Sequence, residues 1–397
     1  MERSRTAHTP WSLIQQTEKY LKQQVGNDCH FIIRPQWSHN YGLIGEFVEV
    51  FRTIMGALDW ITLQDWENNI DEIINEKIYC ISFPRIERLN VLMHANWGHE
   101  VGHIIADQWI TEHFDQLWTS KEHEIKTRIK QEVIQNSPPV EALFKETFIE
   151  SIVADKTLKA MDTTRQGLTE LICDTVGVHL FGPAALASAC EFSAPFHLDE
   201  NPLQRELYPP WRYRLRLMLK ACSEDLVVKE NSNKYPGDLI KTFFYWLKDI
   251  EHLVNLEDDK KSIERDIITR EAYGLIERKW SEILNQALEL LPPESSDPYR
   301  LFNHTREIED LVIKLEKDIP PNEIGDWPNK SPAQYIDILN AAWIFKIKKL
   351  KDRNGWGSTN DLENLFRLVL KAIEASFVHS VFGGKLDKGA CGEHANS

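Results

Sequence analysis

The sequence predicts a mainly α protein with a small β-sheet (α+β), and three observations predict it. Beyond Pro209-Pro210 nearly every stretch carries apolar residues at helical spacing. Only two short runs, Cys29–Arg34 and Lys77–Phe83, have the β-branched and aromatic content of strands, and a proline follows each. The apolar runs between them are long enough for helices, and Gly, Pro and Ser interrupt them only at isolated points.

Taken in order, Trp11 to Gln24 reads as a helix ending near Gly26. Cys29–Arg34 is the first strand, closed by Pro35. Tyr41–Met55 and Trp60–Asn75 read as helices, and Lys77–Phe83 as a second strand stopped by Pro84. A helix follows from Asn90 to about Phe114, with further helices at 120–135 and 140–161 on either side of Pro138-Pro139. Leu168–Ala189 reads as helical with an interruption at Gly182-Pro183, which combine a flexible residue and a helix starter. The remainder reads as helices over 211–229, 236–256, 259–291, 301–317, 332–352 and 360–378, with Pro-rich hinges at 292–298 and 320–332. This pattern divides the chain into a first domain at 1–230, a helical domain at 231–380, and a flexible tail at 381–397.

A formal net charge of −15 argues against nucleic acid or an anionic membrane as the main partner. No run approaches eighteen uninterrupted apolar residues, and the first residues lack a signal-peptide core. The six cysteines are scattered with no C-x-x-C pair, the usage of reduced thiols. The expectation is a cytoplasmic protein.

Chemistry concentrates at His99-Glu100-Val101-Gly102-His103, an H-E-x-x-H pentapeptide. Four residues is just over one helical turn, so both imidazoles leave one face and can chelate one ion, with Glu100 placed to act on water there. Zn2+ is the expected cofactor. Catalytic zinc usually takes three protein ligands, so one is missing. Ala106 and Trp109 occupy the glycine and third-histidine positions of the extended H-E-x-x-H-x-x-G-x-x-H pattern, so the third ligand comes from a later element. Glu170 is the candidate: on a helix it shares a face with Asp174 and Gly177, so Asp174 could orient a ligand imidazole while Gly177 allows close helix contact. Glu146, Glu150 and Asp155 are rival ligands. His94 reads as structural or substrate-lining, His179 lies opposite Glu170 on its helix, and the cysteines read as small buried hydrophobes.

H-E-x-x-H followed by E-x-x-x-D resembles the gluzincin zinc metallopeptidases. The nearer likeness is to the branch of the CAAX-prenyl endopeptidases and the bacterial heat-shock membrane protease HtpX. HEVGH at 99–103, ELICD at 170–174 and YPPWRYRL at 208–215 stand for its three motifs, over roughly residues 77–220. Cys173 stands where that branch has alanine, and Tyr208 where it has histidine.

The resemblance implies a zincin-like metallopeptidase core, followed here by a helical C-terminal region and without the family's hydrophobic spans. It implies His99, His103 and Glu170 as zinc ligands, Glu100 as general base and then acid, and Asp174 as the orienting carboxylate. Arg214 matches the family's arginine, which orders the site or stabilises the oxyanion; Arg205, Arg212 and Arg216 compete for that part. Tyr208 or Tyr213 could offer a phenol instead. The expected partner is a protein or peptide substrate, docked along the 77–83 strand edge. Two other readings stand beside it: a peptidase-like scaffold that binds a regulatory protein partner, and a latent protease effector released by one.

Overall fold

The two strand-forming runs lie side by side, joined by a third strand too short to announce itself. The computed structural model describes residues 11–26, 28–37, 41–44, 77–136, 142–195, 197–199, 207–227, 238–254, 266–325, 330–352 and 357–390. Helix α1 (Trp11–Val25) packs on strand β1 (Cys29–Gln36). Strand β2 (Gly42–Ile44) is antiparallel to β3 (Lys77–Pro84), with Gly42 opposite Ser82 and Ile44 opposite Cys80. β1 runs parallel to β3 from Cys29 opposite Lys77 to Gln36 opposite Pro84.

The sheet order is therefore β1-β3-β2. This corrects two expectations. β3 is the middle strand, buried continuously from Tyr79 to Pro84, and not an open docking edge. Gly42–Ile44 belongs to the sheet, not to a helix, because its backbone groups bond to β3; residues 45–55 of the expected helix and all of Trp60–Asn75 lie outside the described residues. Pro35 sits in β1, where an edge strand tolerates its missing N–H.

Two 3-10 turns, Arg85–Glu87 and Val91–Asn96, lead from β3 into α2 (Trp97–Trp109). A π-helical turn at Ile110–Phe114 continues into α3 (Asp115–Asn136). Helix α4 (Ala142–Phe181) is a single 40-residue element where the sequence suggested two. Gly167, inside the suggested gap, packs against the side chains of Ile276 and Tyr273, and that contact sustains the helix through a weak helix former. α4 ends at Gly182, whose φ of 59° lies in the left-handed region, and Pro183 begins α5 (Pro183–Ser193).

Next come α6 (Trp211–Val227), α7 (Asp238–Val254) and α8 (Ile267–Leu288). Asp266 caps α8 by accepting from the Ile268 and Thr269 amides at 2.7 and 3.0 Å, a contact worth about 1 kcal/mol. α9 (Thr305–Glu316) is followed by a ribbon of β4 (Glu323–Ile324) and β5 (Ser331–Pro332), then by α10 (Tyr335–Lys351) and α11 (Thr359–Ala390). The protein is mainly helical with this small amount of sheet.

Buried side chains form one cluster running from Leu13 to Ile373, so the regions on either side of residue 230 share a core among the described residues. α8 lies along α4, α10 lies on α5, and the Trp343 indole donates to the Leu92 carbonyl at 3.1 Å. α11 continues as helix to Ala390, ten residues into the stretch read as a tail. Among the described residues no helix is long and apolar enough to cross a membrane, and no disulfide joins the cysteines.

Candidate metal centre

Small residues bring the two motifs together. α2 and α4 cross where Gly98 and Gly102 of one meet Gly177 and Cys173 of the other. A Cβ on Gly102 would lie 2.5 Å from the Cys173 Cα, and one on Gly98 would lie 2.9 Å from the Gly177 Cα. Only glycine permits that approach. His99 and His103 leave α2 beside this contact, Glu170 and Asp174 leave α4, and Arg214 reaches in from α6. All five line one cleft of about 290 Å3, together with Glu100.

His99 is held at one nitrogen and open at the other. Its Nδ1 lies 2.8 Å from Asp174 Oδ1, and its Nε2 lies 3.6 Å from Glu170 Oε2. Two ligands of a tetrahedral zinc at 2.0–2.1 Å stand roughly 3.3 Å apart, so this pair fits one ion. The His103 ring is perpendicular to that of His99, with centroids 5.1 Å apart. Arg214 donates from Nε and Nη2 to the two oxygens of Asp174, at 2.7 and 2.8 Å, and its Nη1 is 3.2 Å from Glu170 Oε2. Gln166 donates to the other Glu170 oxygen at 3.3 Å.

Burial sets the electrostatics, and the partners then divide them. For Asp174 burial opposes ionisation, but the Arg214 guanidinium and the hydrogen bonds from Arg214 and His99 hold its carboxyl well below the usual range. Burial would lower His99, yet the Asp174 hydrogen bond and charge, with Glu170, raise it overall. His103 is pushed down to about 3 by burial, then by His99 and Arg214, so it stays a neutral donor. Glu100 is pushed up to about 7: burial dominates, His99 opposes it, Glu170 adds to it, and the Leu43 amide hydrogen bond lowers it in part.

The rival acids point elsewhere. Glu150 pairs with Lys130 and Asp155 with Lys159 at 3.0 Å, and α4 carries both roughly 20 Å or more from Glu170 at 1.5 Å per residue. Glu146, further back on the same helix, is exposed. Among the arginines, Arg212 grips Asp199 at 2.6 Å, Arg216 pairs with Glu277 at 3.1 Å, and Arg205 lies outside the described residues. Arg214 is 4% exposed, and each of its guanidinium nitrogens faces a carboxylate. Its fork is already engaged by Asp174 and Glu170. Tyr208 lines the cleft, whereas Tyr213 is buried against Tyr273. His94 is buried between Phe83 and Trp97, and His179 is bonded to the Ser295 carbonyl at 2.8 Å; neither lines the cleft.

Sequence reasoning missed Cys173 as a donor. The ligand atoms of His99, His103 and Cys173 lie within 4.8 Å of one another. Yet Cys173 is fully buried and does not line the cleft, while Glu170 does. Burial, and then the neighbouring carboxylates, push its thiol well up. Glu170 lines the open cleft beside His99, but among the described residues the set that joins both histidines within 4.8 Å holds Cys173 and not Glu170. Tyr41 and Trp211 also line the cleft; Tyr41 lies outside the three motifs, and Trp211 falls in the third without having been singled out. Comparisons with family models, with curated proteins and with solved structures return no match.

Proposed function

We propose that this protein is a zinc-dependent metalloendopeptidase that cleaves a protein or peptide substrate. The observation that carries the reading is the chain Arg214–Asp174–His99, which fixes one imidazole with Nε2 towards Glu170, inside a cleft that also holds His103 and the buried Glu100. Three donors and an open side suit a catalytic zinc. The ion, when bound, supplies Lewis acidity and makes water acidic enough to react near neutral pH.

Every other step falls to the chain. Asp174 accepts the Nδ1 proton of His99 and so fixes its tautomer and ring direction. Arg214 keeps Asp174 ionised in a buried site and pairs with Glu170. Glu100, poised near 7, takes a proton from water and returns it to the leaving amine, where a base matched to the working pH is most effective. Tyr208 lines the cleft, and we assign its phenol to the developing oxyanion. β2 is the edge strand beside the cleft among the described residues, and we assign it as the edge along which an extended peptide docks. The described cysteines form no disulfide, which suits a reducing compartment, and we place the protein in the cytoplasm.

Glu100→Gln tests this. The variant is expected to keep zinc, measured by elemental analysis, and to lose cleavage of a peptide library read by mass spectrometry. Undiminished cleavage removes Glu100 as the base. Zinc without hydrolysis by the unaltered protein would favour the scaffold reading.

A further inference from the structure

Among the described residues, two buried hydrogen-bonding groups of the cleft have no partner: the Tyr41 hydroxyl and the Trp211 indole nitrogen. Each side chain is 5% exposed. A buried donor without an acceptor is costly, and most such groups in proteins are paired. Phe192 joins the two, meeting Tyr41 and Trp211 edge to face at 6.3 and 5.9 Å. The result is an aromatic wall with an unmet donor at each end.

The wall stands beside the reacting groups. Tyr41 immediately precedes β2, whose Leu43 amide bonds to Glu100. Trp211 opens α6, and the Arg214 guanidinium lies 4.3 Å over its ring. The small side chains of Ala185 and Ala189 line the same cleft, as does Met218. Among the described residues the charged groups that line the cleft are all members of the metal end, so this end offers no counter-charge to a charged side chain. About 290 Å3 leaves room for one large side chain and its peptide, not for a longer segment.

We propose that this wall is the subsite that selects the substrate. It takes one large apolar side chain, aromatic or branched aliphatic, and Tyr41 and Trp211 donate hydrogen bonds to carbonyl oxygens of the peptide that carries it. The inference rests on the peptidase reading above, and it adds a residue class to the substrate.

The test uses the zinc-loaded full chain and four acetyl-amino-acid hydroxamates, of phenylalanine, leucine, glycine and glutamate, with binding measured by calorimetry. The hydroxamate anchors each probe to the metal, so differences among them report the subsite. The phenylalanine and leucine probes are expected to bind at least tenfold more tightly than the glycine and glutamate probes. Tyr41→Phe, which removes one oxygen, is expected to weaken the phenylalanine probe about fivefold to tenfold with zinc content unchanged. Equal affinities across the four probes, or an unaltered affinity in Tyr41→Phe, overturn the subsite and leave the metal centre intact. A chain that takes up no zinc and binds no probe overturns the peptidase reading itself, and the subsite with it.

Discussion

Gly102→Ala puts the helix crossing to a direct test. The added methyl would lie 2.5 Å from the Cys173 Cα and 2.9 Å from its carbonyl oxygen. Both are backbone atoms, which cannot rotate away. Carbon atoms in contact stand about 3.5–4.0 Å apart, so α2 and α4 must separate by about 1 Å. Overpacking of this kind costs ~1–3 kcal/mol, while alanine in place of a helical glycine returns up to ~1 kcal/mol. The net expectation is a loss of about 1–2 kcal/mol in urea unfolding of the metal-free protein. The same 1 Å divides His99 and His103 from Glu170, whereas metal–ligand distances tolerate only ~0.2 Å. Zinc affinity, measured by competition with a chromophoric chelator, should therefore fall by at least about tenfold. Gly274→Ala is the control: its Cβ would meet only the far end of the Arg278 side chain, at 3.4 Å, so stability should rise by ~0.5–1 kcal/mol. A Gly102→Ala protein as stable as its parent, with the same zinc affinity, would refute the reasoning.

Three further outcomes follow from the site and its surroundings. Glu170→Ala should lower the zinc content of purified protein, while Cys173→Ala should keep it; the reverse pattern would transfer the third-ligand role to the thiol. Arg214→Met leaves Asp174 and Glu170 buried without their cation, and should cost about 3–5 kcal/mol in urea unfolding, in part restored by excess zinc; an unchanged midpoint would show that the fork does not hold the site. His304 bonds the buried Asp337 through Nδ1 at 3.2 Å, and that hydrogen bond raises its pKa, against burial and with help from the charges of Asp337 and Glu307. Its stabilisation is full below the unfolded value of about 6.5 and is lost as pH rises through the higher folded value. His304→Gln should therefore lower the melting temperature more at pH 5.5 than at pH 8.5, and an equal effect at both would reject the linkage.

The parts of the site that a helical wheel can express were legible in the sequence. His99 and His103 share a turn, and Glu170, Asp174 and Gly177 share a face, because both sets sit inside long periodic helices. What the wheel cannot express is which backbone a residue meets. Gly177 announced a close contact, but its partners Gly98 and Gly102 had no meaning until α2 and α4 crossed. Cys173 passed as a filler residue, and it stands near the histidines because its own backbone lies against Gly102. β2 is three residues long and is a strand only through its bonds to β3, so local pattern favoured the wrong element and left β3 with a false edge. Arg214 was identified by its spacing to a motif, yet its role follows from two acids that only the fold brings to it.

The indole of Trp343 bonds to Leu92, in the turn that leads into α2, and α10 also rests on α5 beside the cleft. The support for the first motif thus comes from near the other end of the chain. On a ribosome adding ~5–20 residues each second, the stretch from Met218 to Lys351 takes roughly 7–30 s to emerge. During that interval every cleft residue has been synthesised, but the brace behind them has not. The order of synthesis therefore places the brace after the residues it supports.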